Sequence, residues 1–209
     1  GLWMYDALAG QRSIGHSRLL SQQQMSQALP LLKPCQGGVA YSDGQFDDAR
    51  LNLLLALTAE QRGATLRTRC RVVELETDGT GQLKAAISES ATGQRERWCA
   101  SAIVNATGIR ADEIRQMAQA DAPPRLLTSR GAHIVLEQNL CPEGLGLLVP
   151  STADGRVLFM LPFHGRTLVG TTDEACTKEN ATSPSPEEEA YLLNYVRDWF
   201  PQLQHPLVS

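Results

Sequence analysis

The chain has 209 residues, of which 20% are charged, and a formal net charge of −4. This balance excludes a generic nucleic-acid surface, so an anionic ligand has to be met by local cations. Such a length buries a sizeable core, as one large or two small domains, and needs no covalent staples. The five cysteines, Cys35, Cys70, Cys99, Cys141 and Cys176, are scattered and form no Cys-x-x-Cys pair, a pattern of reduced thiols rather than of a disulfide frame or a zinc site.

Leu2, Tyr5, Leu8 and Ala9 have helical spacing, and Gly10 is a stop. A short helix carrying Met25, Ala28 and Leu29 is ended by Pro30, and the Lys33-Pro34 step forces extension before Gly37-Gly38. Val39-Ala40-Tyr41 reads as a strand. Asp47 is a good N-cap for a helix running to about Gln61, with Asp48 in its first turn and Gly63 as its stop. Leucines at 51, 53, 54, 55 and 57 occupy too much of that helix's circumference for a surface helix, so it is expected to be largely buried. The run from Leu53 to Leu57 is far below the ~20 residues of a membrane span.

From residue 65 the period changes. Segments at 72–75, 83–87 and 95–99, separated by glycine turns, predict a β-meander. Ala102-Ile103-Val104-Asn105 has the continuous apolar character of a buried parallel strand, ended at Gly108. A helix over 111–117 and a breaker at Pro123-Pro124 follow. Strands are then predicted at 131–137, 145–149, 157–162 and 166–171, with His164-Gly165 as a two-residue hairpin turn. Ser183-Pro184-Ser185-Pro186 leads into a helix with Glu187, Glu188 and Glu189 in its first turn. The fold class is mixed α/β: a nucleotide-domain layout followed by a sheet-rich block.

Three short stretches could carry chemistry. Asn105-Ala106-Thr107-Gly108 has little side-chain bulk and one hydroxyl, so backbone N–H groups there can face a ligand; a plain tight turn is the alternative. Arg130-Gly131-Ala132-His133 sets a cation and an imidazole three residues apart. On an extended chain they lie on opposite faces, and they share a pocket only if Gly131 bends the backbone; a structural histidine is the alternative. Gly170-Thr171-Thr172-Asp173 ends a strand in a string that also suits a turn and N-cap. Asp47 and Asp48 are explained by helix capping, so no metal site is expected. His16, His164 and His205 have no spacing partner.

Taken in order, Gly1-Leu2-Trp3-Met4-Tyr5-Asp6, Tyr41-Ser42-Asp43, Asp47-Asp48-Ala49-Arg50, Asn105 to Gly108, Gly170 to Asp173 and Trp199-Phe200-Pro201 resemble the flavin-dependent glycerol-3-phosphate dehydrogenases. These are the aerobic type, in the superfamily of D-amino-acid oxidase. The resemblance implies part of an FAD-binding domain over residues 1–120, with cap contributions near 11–46, and a substrate domain over 125–209. It assigns Val72, Ala106, Thr107 and Gly108 to FAD, although a core valine is equally compatible with Val72. It makes His133 the base that accepts the substrate's hydroxyl proton and Arg130 the ligand of its phosphate, with Thr171 and Thr172 lining the pocket. The implied reaction is oxidation of sn-glycerol 3-phosphate to dihydroxyacetone phosphate, with electrons passed to a quinone. A homodimer at the cytoplasmic face of a membrane is implied with it. A neighbouring flavin oxidase acting on an amino acid or using oxygen, and a non-catalytic interaction fragment, are the alternatives. No Gly-x-Gly-x-x-Gly occurs, so the chain is expected to be an internal segment that binds flavin poorly by itself.

Overall fold

The computed structural model describes residues 2–10, 14–203 and 205–208. It divides into two compact units, one made of residues 1–44 with 128–209 and the other of residues 45–127.

The first unit begins with α1 (Leu2–Ala9), whose Asp6 carboxylate accepts from the backbone and hydroxyl of Ser17 at 2.6 and 3.0 Å. β1 (Arg18–Ser21) pairs antiparallel with β2 (Gly37–Ala40). Between them, α2 (Gln22–Ala28) opens on a capping box of Ser21 and Gln24.

The second unit holds α3 (Asp48–Gln61), β3 (Cys70–Thr77), β4 (Leu83–Ser90), β5 (Arg95–Cys99) and α4 (Ala111–Ala118). Asp47 caps α3 as expected, accepting from Arg50 N at 2.9 Å, and β3-β4-β5 is the predicted meander. Two expectations fail here. The α3 leucines at 51, 53, 54, 55 and 57 are 41–61% exposed, not buried, because among the described residues no element of this unit covers their faces. Residues 102–107 form no strand, and Val104 is 86% exposed. A doubly buried parallel strand needs neighbours on both sides, and the sheet of this unit is complete in three antiparallel strands. Asn105 instead turns its side chain onto the backbone, donating to Ala111 O at 2.9 Å and accepting from the Thr107 hydroxyl at 2.8 Å. That local bonding competes with a ladder.

The first unit resumes with β6 (Ser129–Arg130), β7 (His133–Leu136), β8 (Leu147–Val149), β9 (Leu158–Phe163), β10 (Arg166–Gly170), β11 (Glu174–Ala175) and α5 (Pro186–Trp199). A four-stranded antiparallel sheet has the order β7-β10-β9-β8, and β6 pairs with β11 in a separate ribbon. The strand expected over 131–137 therefore starts only at His133, which lies opposite Gly170 in the sheet, while Arg130 just before it lies opposite Glu174 in the ribbon. His164 and Gly165, at φ 50° and 77°, make the two-residue turn of the β9–β10 hairpin.

The core lies in this unit. Ile134, Leu136, Leu158, Met160 and Val169 of the sheet pack with Leu192, Val196 and Phe200 at α5, and Leu29 joins them. Each such side chain contributes about 1.5–3 kcal/mol of transfer free energy. The buried Thr167 hydroxyl accepts from Leu140 N at 2.8 Å and donates to Gln138 O at 2.9 Å, so its burial is compensated. Along α5, Tyr195 accepts from Ala153 N at 2.7 Å, and Tyr191 donates to Asp154, fixing the β8–β9 loop.

Candidate functional site

In the first unit the chain passes from ribbon to sheet within two residues, Gly131 and Ala132, and this short crossing sets out the candidate residues. Glycine is required at 131: a Cβ there would stand 2.6 Å from Thr171 Oγ1 and 3.1 Å from Thr172 O. At 170 a Cβ would lie 2.3 Å from His133 Cδ2, so the ring can keep its present place only over a glycine. The imidazole therefore rests directly on the Gly170 backbone, and His133 is otherwise exposed. Thr171 is exposed beside it in sequence and donates to Thr172 O at 2.9 Å.

Arg130 and Thr172 turn inward. Arg130, 15% exposed at its side chain, forms an ion pair with Glu188 at 2.6 Å and donates from Nη1 to Asn180 O; its buried Nε has no hydrogen-bond partner. Thr172 Oγ1 donates to Glu188 Oε1 at 2.7 Å and accepts from Ala132 N at 2.8 Å. Burial is the largest single influence on Glu188 and opposes its ionisation. The donors Ser185 N, Thr172 and Arg130 together outweigh it and hold the carboxyl down to about 2. Sequence reasoning missed Glu188. Its capping-box spacing from Ser185 was legible, but the ion pair joins elements far apart in the chain.

In the second unit, β3 is an edge strand among the described residues, so alternate backbone groups face outward around Val72. The ladder to β4 is irregular between Val72 and Glu74. Ala106, Thr107 and Gly108 are all exposed. Gly108, at φ +56° with nothing within 4 Å of a Cβ position, opens a turn into α4. The two places are tied at one end of the unit: Arg71 reaches Glu113 at 4.0 Å, and Glu113 pairs with Arg110 at 3.2 Å. Beneath them the buried Asp112 carboxylate accepts from Arg125 N at 2.8 Å, Leu126 N at 3.0 Å and Arg115 at 2.6 Å. These bonds, the two backbone ones foremost, hold it below the usual carboxylate range. Among the described residues no group of three His, Cys, Asp or Glu side chains gathers as a metal site.

The sequence profile of the family described as FAD dependent oxidoreductase matches residues 3–209. The chain belongs to that family. Within this FAD-dependent oxidoreductase family, the chain is similar to a mitochondrial glycerol-3-phosphate dehydrogenase of Arabidopsis thaliana, 41% identical over 95% of this chain and 33% of the relative. The human mitochondrial glycerol-3-phosphate dehydrogenase is 38% identical, over 95% of this chain and 28% of its own. Among solved structures, the glycerol-3-phosphate dehydrogenase of Bacillus halodurans complexed with FAD superposes with a TM-score of 0.78 at 27% identity, covering 91% of this chain and 42% of that one. This member of the oxidoreductase family thus spans about a third of the length of the curated relatives it matches.

Proposed function

We propose that this chain forms part of an FAD-dependent enzyme that oxidises sn-glycerol 3-phosphate to dihydroxyacetone phosphate and passes the electrons to a quinone. The observation that carries the reading is the seat of His133, an exposed imidazole lying where a Cβ on Gly170 would meet its ring, next to the Gly-Thr-Thr turn. The likeness to proteins named as glycerol-3-phosphate dehydrogenases supports the substrate class.

In this reading His133 accepts the proton of the substrate's C2 hydroxyl while the C2–H bond gives up a hydride and C2=O forms. Flavin, when bound, supplies the two-electron acceptor for that hydride. Thr171 lines the substrate pocket, with Thr172 behind it. Arg130 supplies the cation for the phosphate, its side chain 15% exposed and its guanidinium held in place by Glu188.

The second unit fits one part of the cofactor. The outward backbone of β3 at Val72 suits the edge of an adenine, and the open Ala106-Thr107-Gly108 turn admits a phosphate or ribose without side-chain obstruction. With no Gly-x-Gly-x-x-Gly in the sequence, this chain supplies no glycine-rich cradle for the pyrophosphate. Residues 45–127 thus fall to the flavin side and residues 128–209 to the substrate side. A quinone is dissolved in lipid, so the reading includes peripheral attachment at the cytoplasmic face of a membrane, as a homodimer. Among the described residues no helix is long and apolar enough to cross one.

The test is anaerobic mixing of the full-length protein with glycerol 3-phosphate, which is expected to bleach the visible flavin band. Bleaching by glycine instead, or oxygen consumption matching substrate turnover, overturns the assignment. Replacing His133 with Ala is expected to slow reduction by at least about 100-fold, as loss of a general base does. A change within about twofold removes His133 from that role.

A further inference from the structure

We propose that Glu188 is a positioning residue for His133, fastening both flanks of Gly131 to the first turn of α5; the inference rests on the reading of His133 as the base. A capping-box acid needs only the N-cap N–H, and Glu188 has it, accepting from Ser185 N at 2.8 Å. Yet the carboxylate is only 3% exposed and does two further things. Through Oε2 it holds Arg130 at 2.6 Å, on the ribbon side of Gly131. Through Oε1 it accepts from the Thr172 hydroxyl at 2.7 Å, and that same hydroxyl receives the Ala132 N–H at 2.8 Å, on the sheet side.

Thr172 N returns a bond to Ala132 O at 3.3 Å, so the residue immediately before His133 is held at both backbone groups. Gly131 passes so close to the Thr171-Thr172 segment that a Cβ there would meet Thr171 Oγ1 at 2.6 Å and Thr172 O at 3.1 Å. One buried charge thus fixes the turn angle between ribbon and sheet, and with it the point from which His133 rises over Gly170. Charge-assisted bonds in a shielded site are stiff enough for this task.

Glu188→Gln is the discriminating change. Glutamine serves equally in a capping box, but it is uncharged, so the inward-turned Arg130 loses its ion partner, and its amide N–H2 makes the Thr172 hydroxyl accept where it had donated. Two readouts decide. In the 209-residue chain, the His133 ring resonances, assigned among the four histidines by His133→Gln, should shift in Glu188→Gln while those of the other three stay in place. Glu189→Gln, exposed on the same turn, should move none of them. In the full-length protein, Glu188→Gln should lower kcat by about 10–100-fold, the scale of a slight misplacement of a reacting group, with a smaller change in KM. The Thr172→Val/Glu188→Gln double variant should be no slower than the worse single, since both cut the one hydrogen-bonded chain from α5 to Ala132.

Unmoved His133 resonances in a folded Glu188→Gln variant, a raised KM at unchanged kcat, or effects of the two substitutions that multiply overturn the proposal. Should Glu188→Gln fail to fold, Thr172→Val, which cuts the Ala132 arm and leaves the Arg130 pair, takes its place with the same expected shift. If wild-type flavin is not reduced by glycerol 3-phosphate, the substrate reading falls, while the His133 resonances still decide the role of Glu188.

Discussion

Cys141 and Cys99 are the same side chain in opposite surroundings. Cys141 is wholly buried, donates to Met160 O at 3.3 Å, and is pushed up to about 11 by burial. Cys99 is exposed. A thiol-specific disulfide reagent at pH 8 should therefore modify Cys99 in the folded protein and leave Cys141 untouched until denaturant is added, which mass spectrometry of the peptides will show. Gly170 offers a second check at this scale. An Ala there places a methyl 2.3 Å from the His133 ring, so Gly170→Ala should lower flavin reduction by about 10-fold or more without unfolding the chain. His133, Gly131 and Gly170 were readable in sequence because each belongs to a short local string. Glu188 was not, because its carboxylate serves Arg130 and Thr172, residues on other elements whose approach depends on the completed sheet.

At the scale of elements, local signals foretold what local physics decides. The α3 N-cap at Asp47, the meander, the His164-Gly165 turn and the start of α5 all came from residue type at a given position. Capping also gives a prediction: Ser185→Ala removes the acceptor for Glu188 N at 3.2 Å and should cost about 1 kcal/mol in urea unfolding. In the core, Leu192→Ala should cost about 2–5 kcal/mol, because it opens a cavity where α5 meets the sheet. The two wrong expectations share a cause. Apolar content in α3 and at 102–105 says that a surface seeks cover, but not whether the same unit provides it. The tight turn weighed as the alternative for Asn105 to Gly108 is what forms, with the Asn105 side chain bonding it in place of a ladder.

Across the whole molecule, hydrogen-bonded carboxylates set the response to acid. Hydrogen bonds hold Glu188 at about 2, against 4.5 ordinarily, and Asp78 at about 2, against 3.8, in the latter case chiefly from the Thr80 hydroxyl. Because both folded values are depressed, their contribution is fully present above pH ~4.5 and is lost as the pH falls toward 2. Melting temperature should fall over that window, and Glu188→Gln should flatten part of the fall. Buried apolar side chains are concentrated in residues 128–209 with Leu29. Amides of β7, β9 and β10 should accordingly exchange most slowly with deuterated water, and those of α3 far sooner.

Lys33 donates its backbone N–H to Trp199 O at 2.8 Å, and its ammonium lies 4.2 Å from the Trp199 ring centre. Leu29 is buried among side chains of α5 in the same way. The stretch around Leu29 thus waits for partners that are made much later than itself. At the usual pace of about 5–20 residues per second, the stretch around Leu29 spends many seconds on the ribosome without its native neighbours, and its closing contacts form only after residue 200 has left the exit tunnel.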